Sequence, residues 1–269
     1  MDWVLIPVFV AIGCVVGFIA GLLGIGGGMT MVPLLTLIFA HEHFPDEHVL
    51  HLAIGTSMAT IVFTSIASVR AHHAHGAVSW PVVWGLAPGI LVGSLIGPQI
   101  VGGMSTALLA GVFAAFAGFT ATRLLLDRQP KATRELPGAV GLFAVGSAIG
   151  VLSSMVGAGG AFLSVPFMTA CNVRMHRAVA TSAAIGLPIA AAGTLGFVIA
   201  GLRQPGLPPY TLGFVYLPGL AAIVAASMLT APAGARLAHR WPVARLRRAF
   251  AMLMYAIAGF FIAKALGYY

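Results

Sequence analysis

Charge is what this chain has least of. Only 7% of its 269 residues are Asp, Glu, Lys or Arg, whereas a soluble domain needs roughly 25% to cover its surface. A self-sufficient water-soluble domain is therefore excluded. Cysteine is almost absent as well. Cys14 and Cys171 lie in or beside apolar segments, match no metal or redox spacing, and read as buried free thiols. No Asp or Glu falls inside any apolar segment, so coupling through an intramembrane carboxylate has no residue to run on.

Apolar sequence fills the space that charge leaves. Hydrophobic residues make up 59% of the chain and mean hydropathy is +1.01. Apolar segments fall at about 3–23, 28–40, 50–70, 78–101, 105–126, 137–157, 160–172, 178–202, 210–232 and 246–266. Most reach the ~20 residues that cross a hydrocarbon layer about 30 Å thick. The stretch Met1 to Gly24 begins with Asp2 instead of a basic region and no polar domain follows it, so it reads as a first membrane helix and not as a secretory signal. The expected fold is an all-α integral membrane protein of about eight to ten helical segments.

Two segments, 28–40 and 160–172, are too short to span: thirteen residues at 1.5 Å each reach about 20 Å. Each follows a glycine-rich break, Gly24-Ile25-Gly26-Gly27-Gly28 or Gly157-Ala158-Gly159-Gly160-Ala161. The breaks reveal an internal repeat. A shift of 133 places Gly13, Gly17, Gly24, Gly26, Gly27, Val32 and Pro33 on Gly146, Gly150, Gly157, Gly159, Gly160, Val165 and Pro166. A shift of 125 then aligns Gly55-Thr56-Ser57 with Ala180-Thr181-Ser182. The chain divides into a first transmembrane repeat at 1–127, a cytoplasmic linker at 128–136 and a second repeat at 137–269.

Basic residues orient the repeats, because Lys and Arg collect in cytoplasmic loops. If each glycine-broken pair returns to the side it came from, one side holds Arg70, Arg123, Arg128, Lys131, Arg134, Arg174, Arg177, Arg236, Arg240, Arg245, Arg247 and Arg248. The other side holds only Arg203 and Lys264. If each pair crosses once, the fourteen charges divide evenly. The returning arrangement gives each half an odd number of crossings, so the two halves insert upside down relative to each other, as inverted repeats do in secondary transporters. Both termini then lie on the non-cytoplasmic side, near the acidic loop His41 to His48.

A helix broken inside a membrane leaves backbone groups that must face protein or a wet cavity. New helices starting near Gly28 and Ala161 would point their positive dipole ends and free N–H groups at that space, which suits a small anion. Gly26, Gly27, Gly28, Gly159, Gly160 and Ala161 are the candidate backbone donors. Thr56, Ser57, Thr181 and Ser182 occupy matching places in the following helices and are candidate hydroxyl ligands. Thr30 and Ser164, just inside the short segments, are weaker ones. Each has a plainer reading: glycine clusters let membrane helices pack closely, and buried hydroxyls often bond a carbonyl of their own helix. A P-loop fits poorly because no Lys-Ser/Thr follows the glycines. The stretch Arg70-Ala71-His72-His73-Ala74-His75 does not match a closed zinc set. No metal and no cofactor is expected. The net charge of +8 lies in loops where orientation and anionic lipid account for it, so nucleic acid is set aside as a partner.

The run Gly17-Phe18-Ile19-Ala20-Gly21-Leu22-Leu23-Gly24-Ile25-Gly26-Gly27-Gly28, followed by Val32-Pro33, resembles the signature of the TauE/SafE sulfite exporter family. The match extends through Gly55-Thr56-Ser57 and recurs in degenerate form from Gly150 to Pro166 and from Ala180 to Ser182. The second unit departs from it with Ser153-Ser154 in place of Ala-Gly and Ala161 in place of glycine. The resemblance covers nearly the whole chain. It implies a membrane transporter of sulfur-containing or small organic anions such as sulfite, sulfoacetate or related sulfonates, in a bacterial inner (plasma) membrane. The expected partners are a small anionic substrate and the lipid bilayer, with a homo-oligomer left open. A passive anion channel would carry the same half-helix dipoles. An intramembrane hydrolase using Ser57 or Ser182 lacks a nucleophile elbow.

Overall fold

The computed structural model describes residues 5–23, 28–126, 135–238 and 243–266. Gly24 to Gly27, the heart of the first break, lie outside them, as do residue 127 and 128–134 of the linker. Among the described residues the chain forms ten helices: α1 (Leu5–Leu23), α2 (Gly28–His41), α3 (Val49–Ala74), α4 (Trp80–Gly102), α5 (Thr106–Leu126), α6 (Ala139–Met155), α7 (Ala161–Ala170), α8 (Met175–Gly201), α9 (Leu217–Ala238) and α10 (Val243–Ala265). Five of them are long and apolar enough to cross a membrane. The sequence did not suggest the two-stranded ribbon β1 (Thr211–Leu212) and β2 (Val215–Tyr216), which turns through Gly213 at φ +55° just before α9.

Large apolar side chains face outward as readily as inward. Val140, Leu229, Trp84 and Met252 are exposed, an arrangement that suits hydrocarbon and not water. The shortest helices, α2 and α7, are each interrupted by proline, Pro33 or Pro166, which removes one backbone donor from an already short ladder. In both, a threonine three residues further on bonds the carbonyl just before that proline. The Thr36 hydroxyl donates to Val32 O at 2.7 Å, and the Thr169 hydroxyl to Val165 O at 3.0 Å.

The repeated glycines early in each half are packing residues. Gly13 and Gly17 of α1 lie on the backbone of α9: a Cβ at Gly13 would sit 2.8 Å from Ile223 O, and one at Gly17 2.5 Å from the Ser227 Cα. Their repeat counterparts, Gly146 and Gly150 of α6, lie on α4, where a Cβ at Gly150 would sit 2.6 Å from Ile90 O. These are small-xxx-small seams, where close backbone approach supplies the contact area that lipid cannot. The helix before each break thus packs on a helix from the other half, α1 on α9 and α6 on α4. Other contacts pair off between the halves: α3 packs on α8 and α5 on α10, while α2 on α3 matches α7 on α8 and α4 on α8 matches α9 on α3.

The glycine-broken pairs return. Phe9 near the start of α1 lies 6.3 Å from Phe39 near the end of α2, and both rings lie 5.7 Å from Tyr216. In the second half, Leu142 and Phe143 near the start of α6 adjoin Gly85 and Gly89, early in α4. The loop after α7 leads into α8, whose Thr181 hydroxyl accepts the backbone N–H of Ser79 at 2.9 Å, just before α4. Each pair therefore begins and ends on one face of the molecule.

Those faces differ in charge. On one, the acidic loop 41–48 meets the segments after α4 and α8: the Thr106 hydroxyl donates to Asp46 O and Glu47 O at 2.9 Å each, and the His48 ring lies 5.6 Å from Phe214. Arg203 belongs to this face. Arg70, Arg174 and Arg177 collect on the other, around the α3–α4 turn and the start of α8.

Candidate functional site

Gly28, which closes the first break, meets the second break inside the protein. Gly28, the first residue of α2, lies so close to the Gly157 carbonyl that a Cβ there would overlap it, and would come within 2.6 Å of Ile61 Cδ1. From this meeting point α2 runs toward the aromatic cluster of Phe39 and Tyr216, while α7 runs toward Arg174. Their N-termini are thus the inner ends of both helices, the ends that carry the partial positive charge.

The second break is shaped by backbone that only glycine adopts easily. Gly157 has φ +64° and Gly160 φ +79°, both in the left-handed region that penalises a Cβ. Gly160 caps α7, and its carbonyl accepts from Leu163 N at 3.1 Å and Ser164 N at 2.9 Å. The turn packs on α8 and α3, with Gly159 O 3.2 Å from where a Cβ at Gly186 would lie. The amides of Ala161 and Phe162 have no carbonyl one turn back within their own helix.

Four serines surround this point, and all are buried. The Ser57 hydroxyl donates to Gly28 O at 3.3 Å, joining α3 to the start of α2. In the other half the Ser164 hydroxyl of α7 donates to the Ser182 hydroxyl of α8 at 2.8 Å. Ser57 and Ser182 are repeat counterparts, so each joins its long helix to its short one. Neither bonds a histidine among the described residues. Thr30 is buried in the first turn of α2.

The fourth serine was not a candidate from sequence. Ser153, in the last turn of α6, is wholly buried and its hydroxyl has no hydrogen-bond partner among the described residues. It lies 3.6 Å from where a Cβ at Gly160 would sit, facing the turn that opens α7. A buried hydroxyl left unpaired costs about 1–3 kcal/mol, and the departure Ser153-Ser154 from the repeat was its only trace in the sequence.

Thr56 and Thr181 do different work from the serines. The Thr56 hydroxyl accepts the backbone N–H of Tyr216 at 3.0 Å, and the Thr181 hydroxyl accepts that of Ser79. Each secures the residue just before a proline-started helix of the opposite half, α9 or α4, at whose first turns Pro218 and Pro81 lie. The Thr56 carbonyl in turn accepts the Thr60 hydroxyl at 3.0 Å. Of the remaining candidates, Gly28, Gly159, Gly160 and Ala161 lie at the meeting of the breaks, while Gly26 and Gly27 are outside the described residues.

The sequence model of the sulfite exporter TauE/SafE family matches residues 9–261, nearly the entire chain and both breaks. The chain belongs to the TauE/SafE family. Proteins similar to it are named probable membrane transporters. One from Haemophilus influenzae is 34% identical over 92% of this chain and 94% of its own length. Another, YdhB from Bacillus subtilis, is 30% identical over 90% and 94%, and one from Xylella fastidiosa is 29% identical over 91% and 90%. No solved structure matches this TauE/SafE chain. It is a multi-pass membrane protein of a transporter family.

Proposed function

We propose that this protein is a secondary transporter of small anions, sulfur-containing or organic, such as sulfite, sulfoacetate and related sulfonates. It has no enzymatic role on this reading. The anion binds where the inner ends of α2 and α7 converge, and the observation that carries the reading is the contact of Gly28 with the Gly157 carbonyl. Each helix N-terminus favours a nearby anion by about 0.3–1 kcal/mol at a surface and up to about 2 kcal/mol when partly buried. Two of them, with the Ser153 and Ser182 hydroxyls, which donate to nothing among the described residues, give an oxyanion several donors without a buried cation, and Ser57, Ser164 and Thr30 would add theirs on exchanging their present partners. Gly26 and Gly27 would add backbone donors on the α2 side, and Thr56 and Thr181 would hold the walls.

The pairing of helices across the halves supports two inverted repeats, 1–127 and 137–269, joined by a linker at 128–136. Rocking of one half against the other would open the site first to one side and then to the other. The complete burial of Ser57, Ser153 and Ser164 favours a carrier over a passive channel, because a channel keeps a continuous wet path past its ligands. The Arg-rich face is placed in the cytoplasm of a bacterial plasma membrane by the preference of short basic loops for that side, which leaves both termini outside. Flux in proteoliposomes tests the reading. Sulfite uptake that saturates and runs at carrier rates supports it; unitary current steps in planar bilayers would make the protein a channel.

A further inference from the structure

A second anion site lies away from the glycine breaks. On the Arg-rich face a cavity of about 230 Å³ is lined by His75, Gly76, Ala77, Arg174, His176 and Arg177. Two local structures build it. At the end of α3 the chain reverses through Gly76 at φ +62°, a left-handed turn held by Ala77 N donating to His72 O at 3.2 Å. Opposite it, Arg174 is the cap residue of α8, its carbonyl accepting Ala178 N at 2.9 Å, and His176 and Arg177 stand in the first turn. The Ser79–Thr181 hydrogen bond fixes the two walls against each other.

Among the described residues the lining carries positive charge and nothing to cancel it. Arg174 and Arg177 form no ion pair among the described residues, and no carboxylate lines the cavity. Orientation in the membrane explains why arginines occupy this face. It does not explain why two of them and two histidines converge on one hollow. Arginine presents a planar fork matched to the oxygens of phosphate or sulfonate, a histidine ring N–H can donate to the same oxygens, and the start of the 27-residue α8 adds its dipole to the same space.

The geometry points to a binding site for a tetrahedral oxyanion of the phosphate class, held between the α3–α4 turn and the first turn of α8. The site is distinct from the proposed transport site, and none of its lining residues belongs to that site. The same chemistry is supplied by free phosphate or by the headgroup of an anionic phospholipid. Because α3 belongs to one half of the chain and α8 to the other, the bound oxyanion ties the halves together at this mouth.

The test uses the full chain, purified in detergent with inorganic phosphate, and reconstituted in phosphatidylcholine nanodiscs into which phosphatidylglycerol is titrated. Thermal unfolding and isothermal titration report binding in both. Wild type is compared with Arg174→Gln/Arg177→Gln, both exposed positions whose replacement should leave the unliganded melting temperature almost unchanged. His176→Gln serves as a second, single variant. A saturable upward shift with phosphate in detergent, with affinity reduced about tenfold or more in the double variant, establishes a site for the free ion. A shift seen only with phosphatidylglycerol, and lost in the same variant, establishes a headgroup site. The absence of both shifts, or shifts of equal size in wild type and both variants, overturns the assignment.

Discussion

Replacing Gly28 with alanine probes the contact on which the proposed site depends. The added Cβ would overlap the Gly157 carbonyl and lie 2.6 Å from Ile61 Cδ1. The isoleucine methyl can rotate away, but the carbonyl belongs to a turn with two left-handed residues, Gly157 and Gly160, and has little room to yield. Overpacking of this kind costs about 1–3 kcal/mol. If the breaks must close on each other to hold the anion, that cost falls on the occluded state. At 1.4 kcal/mol per factor of ten, its population drops about 5- to 150-fold, and so should saturable sulfite flux in proteoliposomes. Gly118→Ala in α5, where no atom lies within 4 Å of an added Cβ, is the control for expression and insertion and should transport normally. Wild-type flux and an unchanged melting temperature in Gly28→Ala would refute the close apposition of the two breaks.

Ser153→Ala separates ligand binding from packing. It removes a buried hydroxyl without a partner, so thermal stability should stay level or rise by about 1 kcal/mol, while the KM for sulfite rises; equal loss of stability and transport would assign the hydroxyl to structure alone. Thr56→Val strands the Tyr216 amide in a fully buried setting and should cost about 1–3 kcal/mol, read as a lower melting temperature. Thr181→Val, whose partner Ser79 is half-exposed, should cost less, and the reverse order would contradict the burial argument. A cysteine introduced at Thr133 should react with impermeant maleimide only from the cytoplasmic side, since labelling from outside would invert the orientation.

The fold was legible wherever composition decides it. Ten apolar segments became ten helices because hydrocarbon requires every backbone group to be paired within its own element. The two short segments declared themselves by length and by Pro33 and Pro166, and the charge sorting anticipated that each pair returns. What the sequence could not separate was glycine that packs from glycine that breaks. Gly13 and Gly17 share a register with Gly24, Gly26 and Gly27, yet the first two form a seam with α9. Hydroxyls posed the same problem. Thr56 and Ser57 are adjacent and repeat together as Thr181 and Ser182. The threonines face a helix start of the opposite half and the serines face the short helices, a division set by which side of the helix each occupies. Ser153 was hidden because an unpaired hydroxyl is a property of its surroundings, not of its neighbours in sequence. The ribbon at 211–216 was hidden by the apolar run it interrupts.

Selenite, the selenium counterpart of sulfite, offers the most direct measurement. Anomalous diffraction from crystals of the protein with selenite should give one strong peak between Gly28 and Ala161, within about 3 Å of the Ser153 hydroxyl and of a first-turn amide of α7. A protein that transports selenite but shows its peak elsewhere, with the inner ends of α2 and α7 empty, would contradict the proposed site.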